Sequence, residues 1–342
     1  MPSIRRVATA AAVALLPVLA ACTVTTSGSV PDDGTVVLYS GRSESLVQPL
    51  IDEFEASTGI DVDVRYGGTT ELAALLLEEG ERSPAEVFLS QDAGALGAVS
   101  DAGLLAPLPA DLAGAVPEGF TSADGTWTGV TGRARVLVYD SEDVTADELP
   151  SSVSELTGPA WQGRVGVPPA NASFQSFVTA FRVLEGDAAA REWLTGLAGN
   201  GVERYESNGA ILEAVNSGRL DAGLINHYYW FRMADEVGAD GMRARLHFFP
   251  APDPGALVNV SGAGILTGAA GDADALELVR YLLSAEAQTY FVETTFEYPL
   301  AAGVPQPPGL PSLDDLRNPE LDLADLASLQ ETVDLIATAG LA

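Results

Sequence analysis

The sequence contains no lysine: its 17 basic residues are all arginine, set against 48 acidic ones, for a formal net charge of −31. A surface so acidic repels nucleic-acid phosphates, which argues against a DNA or RNA partner, suits solubility outside a cell and does not oppose a cationic ligand. Cysteine is nearly absent as well. Cys22 is the single one, so no disulfide can form within the chain and stability must come from packed cores. Histidine is limited to His227 and His247, which leaves little for acid–base chemistry and gives no metal-binding spacing. There is no His-Glu-x-x-His, no Gly-x-Ser-x-Gly and no carboxylate pair that stands out, so the chain does not read as an enzyme. Internal repeats at solenoid spacing are missing too. The longest apolar run, Val7 to Leu19, is too short and too alanine-rich for a membrane-spanning helix.

What is present begins with that run. Arg5 and Arg6 precede it, and Leu19-Ala20-Ala21-Cys22 closes it ahead of a polar stretch. A basic start, an apolar middle and small residues before a cut make a secretory signal. The segment ending at Cys22 resembles a bacterial lipobox, which implies cleavage before Cys22 and diacylation of its thiol. Residues 1–22 are expected to be a lipoprotein signal peptide. Residues 23–34, rich in Thr, Ser, Gly, Pro and Asp, have the composition of a flexible tether. With 342 residues in all, the remainder is long enough for two domains with sizeable cores.

Strands and helices then alternate. Thr35 to Ser40 reads as a strand, and Gly41-Arg42-Ser43-Glu44 turns into a helix with Leu46, Val47, Leu50, Ile51 and Phe54 on its apolar face. Pro49 falls early enough in that helix to be tolerated. Ile60 to Tyr66 alternates like a half-buried strand, a helix follows around Leu72 to Leu77, and Glu86 to Ser90 is a third strand before Gln91-Asp92 opens a third helix. This rhythm predicts a parallel sheet with helices on both faces. A strand-rich passage spans Trp127 to Tyr139. A second α/β set then runs through the strand Arg164–Pro168, the helix after Asn171-Ala172-Ser173, a helix from Ala188 to Leu197, and another after Asn208-Gly209. Val258 to Leu266 reads as a return strand, 273–284 as a helix, and 321–338 as a terminal helix.

Between these lies Asp221-Ala222-Gly223-Leu224-Ile225, a small-apolar strand, followed by Asn226-His227-Tyr228-Tyr229-Trp230 and a helical stretch ending near Gly238. Two phenols therefore sit where a strand gives way to a helix, the place where open α/β sheets collect ligands. Aromatic clusters also occur as plain packing, and the residues themselves leave both readings open. Helix starts with small or polar residues recur at the strand ends: Gly41 to Ser43, Gln91-Asp92, Asn171 to Ser173, Asn208-Gly209 and Asn226. Their free N–H groups are ready anion sites. With two phenols they point to a cleft for a hard cation plus an anion, and ferric ion prefers hard oxygen donors.

Leu38-Tyr39-Ser40-Gly41-Arg42-Ser43-Glu44, Ala85 to Ser90, Gly132-Arg133-Ala134-Arg135-Val136, Ala222 to Trp230 and Tyr298-Pro299-Leu300 together resemble the substrate-binding component of bacterial ferric-iron ABC importers. The resemblance covers about residues 35 to 340. It implies an α/β, two-lobe periplasmic-binding-protein fold of the class II type, with a ligand cleft between lobes joined by two hinge crossings, near Arg133–Val136 and Asn259–Gly262. The first lobe would comprise 35–133 and 259–309, the second 134–258 and 310–342. It further implies that Tyr228 and Tyr229 ligate Fe3+, and that Asn171, Ala172, Ser173, Asn208 and Asn226 line the site of a synergistic anion such as carbonate. The chain departs from the family where one branch adds a histidine and a glutamate from the first lobe: Ser43 and Gln91 stand there, and Phe174 stands where another branch adds a tyrosine. Anions, water, Glu44 or Asp92 would complete the coordination, although Glu44 and Asp92 read better as helix-start residues than as ligands. Arg42 and Arg133 read either as counter-charges to the anion or as partners of surface carboxylates, and His227 as an exposed or hydrogen-bonded histidine. The implied partners are an ABC permease with its ATPase, and the membrane through the lipid anchor, for a monomer on the outer face of the cytoplasmic membrane. An organic anion, phosphonate or polyamine in the same cleft is the alternative cargo.

Overall fold

The computed structural model describes residues 34–316 and 321–341, so the signal segment, Cys22 and most of the tether lie outside the described residues. Ten strands form one mixed sheet: β1 (Thr35–Ser40), β2 (Asp61–Tyr66), β3 (Val87–Ser90), β4 (Trp127–Asp140), β5 (Val165–Val167), β6 (Glu203–Arg204), β7 (Ala222–Asn226), β8 (Ala244–His247), β9 (Val258–Ile265) and β10 (Tyr298–Pro299). Their order is β2-β1-β3-β9-β4-β7-β5-β6, with β8 and β10 both pairing β4. No helix among the described residues is long and apolar enough to cross a membrane.

The expected parallel sheet is present only in the two arms. β1 pairs parallel with β2 and β3, and β5 pairs parallel with β6 and β7. The centre is antiparallel, because β4 and β9 run back between the arms. β4 pairs β9 from Trp127 to Ala134 and then pairs β7 from Arg135 to Tyr139. Its fourteen residues read VxV-like only in the second half, yet all but Tyr139 are buried. A strand that neighbours both arms has no solvent face, which removes the alternation that a half-exposed strand would show.

Helices pack their apolar faces on this sheet. Glu44–Thr58 buries Val47, Leu50, Ile51 and Phe54 and ends at Gly59, whose φ of 76° places it in the left-handed region that glycine tolerates. Pro49 lies in the second turn of that helix. Ala172–Glu185 buries Phe174, Phe177 and Phe181, which pack around Trp193 of the next helix, Asp187–Gly199.

The terminal helix expected over 321–338 is split: a 3-10 segment, Leu323–Ala327, precedes the helix Leu329–Thr338. The split lets the chain serve two neighbours. The 3-10 segment lies against the helix Ala93–Asp101, where Gly94 and Gly97 leave room for the carbonyls of Leu326 and Ala324. The last helix joins Ala172–Glu185 through the Thr179 and Thr332 hydroxyls at 2.7 Å and a bond from Arg182 to Ser328 O at 2.9 Å.

Candidate functional site

Four strand ends open onto one cleft. β1 leads to Arg42, β3 to Gln91 and Asp92, β5 to Asn171, and β7 to Asn226 and the aromatic run. On the side of β1 and β3, Thr69 ties the loops together: its hydroxyl donates to Gly41 O at 3.2 Å and accepts from Gln91 N at 3.0 Å. A Cβ at Gly41 would collide with that hydroxyl, so glycine is required there.

The tyrosine pair occupies the first turn of the helix His227–Val237, with Asn226 at its cap in extended conformation. Leaving the strand brings both rings to one side, and they stack with centroids 4.5 Å apart and planes at 25°. Tyr228 is buried and Tyr229 half-buried. Burial, and then the neighbouring Tyr229, push the Tyr228 phenol well above its ordinary range, while Arg133 and Arg42 pull the other way.

Three guanidinium groups crowd the phenols, each about 3 % exposed or less. Arg42 grips Glu297 through two bonds, of 3.0 and 2.7 Å. Burial opposes the charge of Arg42, but Glu297 together with Tyr228 and Tyr229 outweighs it and its pKa rises. Burial likewise works against the Glu297 carboxylate, yet Arg42 and Arg133 hold it below its usual range. Arg133 donates to Gln91 O, and burial, with Arg42 adding repulsion, lowers its pKa. Arg135 donates to Ser173 O and to Asn208 Oδ1 at 3.3 Å, and burial lowers it to about 9.

Arg133 Nε and Nη1 and Arg135 Nε are buried without any hydrogen-bond partner. Both side chains line a cavity of about 10 Å³ together with Ser173, Asn226, Leu257 and Asn259. Orphaned charged donors on residues lining a space the size of a water molecule are chemically able to take an oxygen acceptor.

The expected ligand-binding residues divide. Ser173 and Asn226 line the cavity. Asn171 caps its helix through Ser173 N at 3.0 Å and takes bonds from the Ser173 hydroxyl at 2.6 Å and Asn208 Nδ2 at 3.3 Å. Asn208 is the first residue of its helix, and the cap is Ser207. Ala172 begins the Ala172–Glu185 helix and is half-buried. Ser43 is exposed at the start of Glu44–Thr58 and makes no side-chain cap bond. Gln91 meets Arg133 through its backbone. Asp92 caps its helix through Ala95 N at 3.0 Å, and burial raises its pKa. Among the described residues, no three His, Cys, Asp or Glu side chains cluster to hold a metal ion.

Three participants escaped the sequence reading as site residues. Arg135 lies two residues from Arg133 on a buried strand, and two arginines at alternate positions of an apolar strand were the available signal. Glu297 and Asn259 carried none, since Glu297 meets Arg42 across 255 residues of chain. His227 is fully buried, and both ring nitrogens are used: Nδ1 accepts from Ala134 N at 3.1 Å and Nε2 bonds Phe296 O at 2.8 Å. Burial lowers its pKa to about 4.

Comparison with known proteins agrees with this architecture. Residues 82–324 match the family described as bacterial extracellular solute-binding protein. The chain is 35% identical over 310 residues to the Fe(3+)-binding periplasmic protein of Serratia marcescens, covering 90% of this chain and 91% of that one. Iron-bound HitA from Pseudomonas aeruginosa superposes with a TM-score of 0.83 at 36% identity, over 90% of this chain and 99% of that one. A Trichodesmium protein (IdiA, FutA) in complex with iron and citrate gives 0.75 at 29% identity, over 90% and 100%. These similar structures are two-lobe periplasmic binding proteins, and the fold here is of that class.

Proposed function

This chain belongs to the bacterial extracellular solute-binding protein family, whose members are transport proteins and not enzymes, and on that footing we propose that it captures ferric iron through Tyr228 and Tyr229. The observation that carries the reading is the stacked phenol pair set beside three buried arginines, two of which, Arg133 and Arg135, keep orphaned donors. Ferric ion displaces both phenolic protons and is held by hard oxygen. Three guanidiniums against the Glu297 and Asp92 carboxylates leave one positive charge in the site. Ferric ion with two phenolates adds another, and a dianion such as carbonate balances both. Arg133, Arg135, Ser173 and Asn226 would hold that anion, with Asn171, Ala172 and Asn208 shaping the wall behind it.

In this reading the lobes are 35–133 with 259–309 and 134–258 with 310–342, and ligand contacts to both bias the hinge toward closure. Lipidated Cys22 would tether the monomer outside the cytoplasmic membrane, from which it would deliver iron to a permease and its ATPase. The same arginines favour an organic oxyanion as the second reading, and they oppose a polyamine.

A visible absorption titration decides between them. The mature domain, stripped of metal and titrated with ferric citrate in bicarbonate, is expected to develop a phenolate-to-iron charge-transfer band. Tyr228→Phe or Tyr229→Phe should abolish the band and weaken iron binding by at least about 100-fold. Absence of a band in the wild-type protein, with no thermal stabilisation by iron, would transfer the assignment to the organic ligand.

A further inference from the structure

Pairing between β4 and β7 ends at Arg135 and Asn226. One residue further, the chain has turned into the His227–Val237 helix, so the Ala134 N–H meets no strand carbonyl on that side. The His227 ring takes the carbonyl's place, with Nδ1 accepting from Ala134 N at 3.1 Å. An imidazole that accepts at Nδ1 must carry its proton on Nε2 when neutral, and Nε2 donates to Phe296 O at 2.8 Å.

That carbonyl is in an uncommon position. Phe296 has a φ of 58° and follows the π-helical turn Phe291–Thr295. Left-handed backbone at a bulky non-glycine residue persists only where its surroundings hold it. Phe231 stacks on the Phe296 ring at 6.1 Å, and the Thr295 hydroxyl bonds Phe291 O at 2.8 Å and Glu297 Oε2 at 3.0 Å. Glu297, the next residue, is the one that grips Arg42. The His227 ring also stands edge-on to Tyr228 at 6.0 Å and tilted against Tyr298 at 5.1 Å.

We infer that His227 is a positioning residue whose neutral Nε2–H ring pins the tyrosine-bearing helix at once to the crossing strand and to the Phe296–Glu297 turn, fixing the phenols relative to Arg42. It is not an iron ligand, because both nitrogens are committed. The inference rests on the iron reading for its functional consequence, and on geometry alone for the ring's placement. Loosening the pin lets the phenols and Arg42 drift apart, which speeds iron release without removing any donor.

Two substitutions separate the bonds. His227→Gln places an amide donor within reach of Phe296 O, whereas His227→Asn keeps only an acceptor for Ala134. In the full mature chain, with iron release to a competing chelator followed by stopped flow, Gln is expected to stay within threefold of wild type. Asn should release iron at least tenfold faster and shift the charge-transfer maximum. Equal, wild-type-like release from both variants overturns the proposal. Should neither fold, Phe296→Gly, which keeps the carbonyl and frees its backbone, must speed release severalfold, and unchanged release overturns the proposal just as firmly. Long-range 1H–15N correlation on the wild-type protein must show the Nε2–H tautomer with a proton protected from exchange. An Nδ1–H form or a fast-exchanging proton sinks the inference. If the wild-type protein gives no charge-transfer band, the iron reading fails on its own, and this spectrum still judges the ring's placement.

Discussion

The two walls of the cleft are made by different means. The wall that carries the tyrosines is built from helix starts: Asn171, Ser207 with Asn208, and Asn226 each stand within a residue of a first turn, and Tyr228 and Tyr229 occupy one. The facing wall owes its chemistry to charge brought together over long range. Arg42 leaves β1, Glu297 precedes β10, and their side chains, 3% and 0% exposed, meet across most of the chain. Local capping chemistry costs little to bury because backbone N–H groups and side-chain oxygens satisfy one another. A buried ion pair is different. It carries a desolvation penalty that only its partner offsets, so the facing wall is stable only as a whole.

That contrast is broken most directly at Glu297. Glu297→Gln leaves Arg42 charged, buried and beside Arg133, with no carboxylate bonded to it and only Asp92 left to act on Arg133. Removing one partner of a buried pair is expected to cost about 3–5 kcal/mol, read as a lowered urea midpoint with an unchanged slope. The double variant Arg42→Met with Glu297→Leu removes both charges and should recover most of that loss. If the double variant is as unstable as the single one, packing and not charge holds that wall.

pH tests the pin between the walls. His227 is held neutral in the fold, with its pKa lowered from 6.5 to about 4 by burial. The unfolded chain therefore binds a proton that the native chain refuses across this window. Apo-protein stability is fully present above about pH 6.5, falls as pH drops toward 4, and loses nothing further to this group below that. The shift corresponds to up to about 3 kcal/mol. Its direction follows from burial outweighing the raising effects of the Phe296 and Ala134 bonds and of Glu297, with Arg133 adding to the lowering. Glu297, held below its ordinary value of 4.5, begins its own loss only as pH falls through that value, at the acid end of this window. Urea unfolding of apo protein between pH 7 and 4, beside His227→Gln, measures the difference. An equal slope in the variant assigns the acid loss to other groups.

The same contrast explains how much could be read in advance. The tyrosine wall was legible because its signals are short: a small-apolar strand, a polar cap, a helical run. The arms of the sheet were legible for the same reason. β4 was recognised as strand, but its antiparallel role was hidden. A strand buried along almost its whole length carries no alternation to show which neighbour it faces, and β4 changes neighbours at Ala134. The Arg42–Glu297 pair and the Phe296 turn depend on contacts between distant segments, which leave no spacing in the chain. Ser43 and Gln91 show the converse, since their places at strand ends marked them as ligand-binding while their side chains make no hydrogen bond to the cavity's arginines. Ser43 is exposed, and Gln91 meets Arg133 by its carbonyl.

The smallest expected effect sharpens the local side of the comparison. Asn171 and Asn226 occupy matching positions, each capping a helix that opens on the cleft in extended conformation. Only Asn171 uses its side chain as a cap, and its Oδ1 gathers Ser173 N, the Ser173 hydroxyl and Asn208 Nδ2. Asn226 makes no cap bond and lines the cavity. Asn171→Ala should therefore cost the apo protein about 1 kcal/mol, the usual worth of an N-cap, while Asn226→Ala, which breaks no cap bond, should cost less. Paired urea titrations without ligand resolve a difference of that size if both variants keep the wild-type slope. Equal losses at the two sites would mean that the cavity wall is held by its asparagines generally, and that capping at Asn171 is not what distinguishes it.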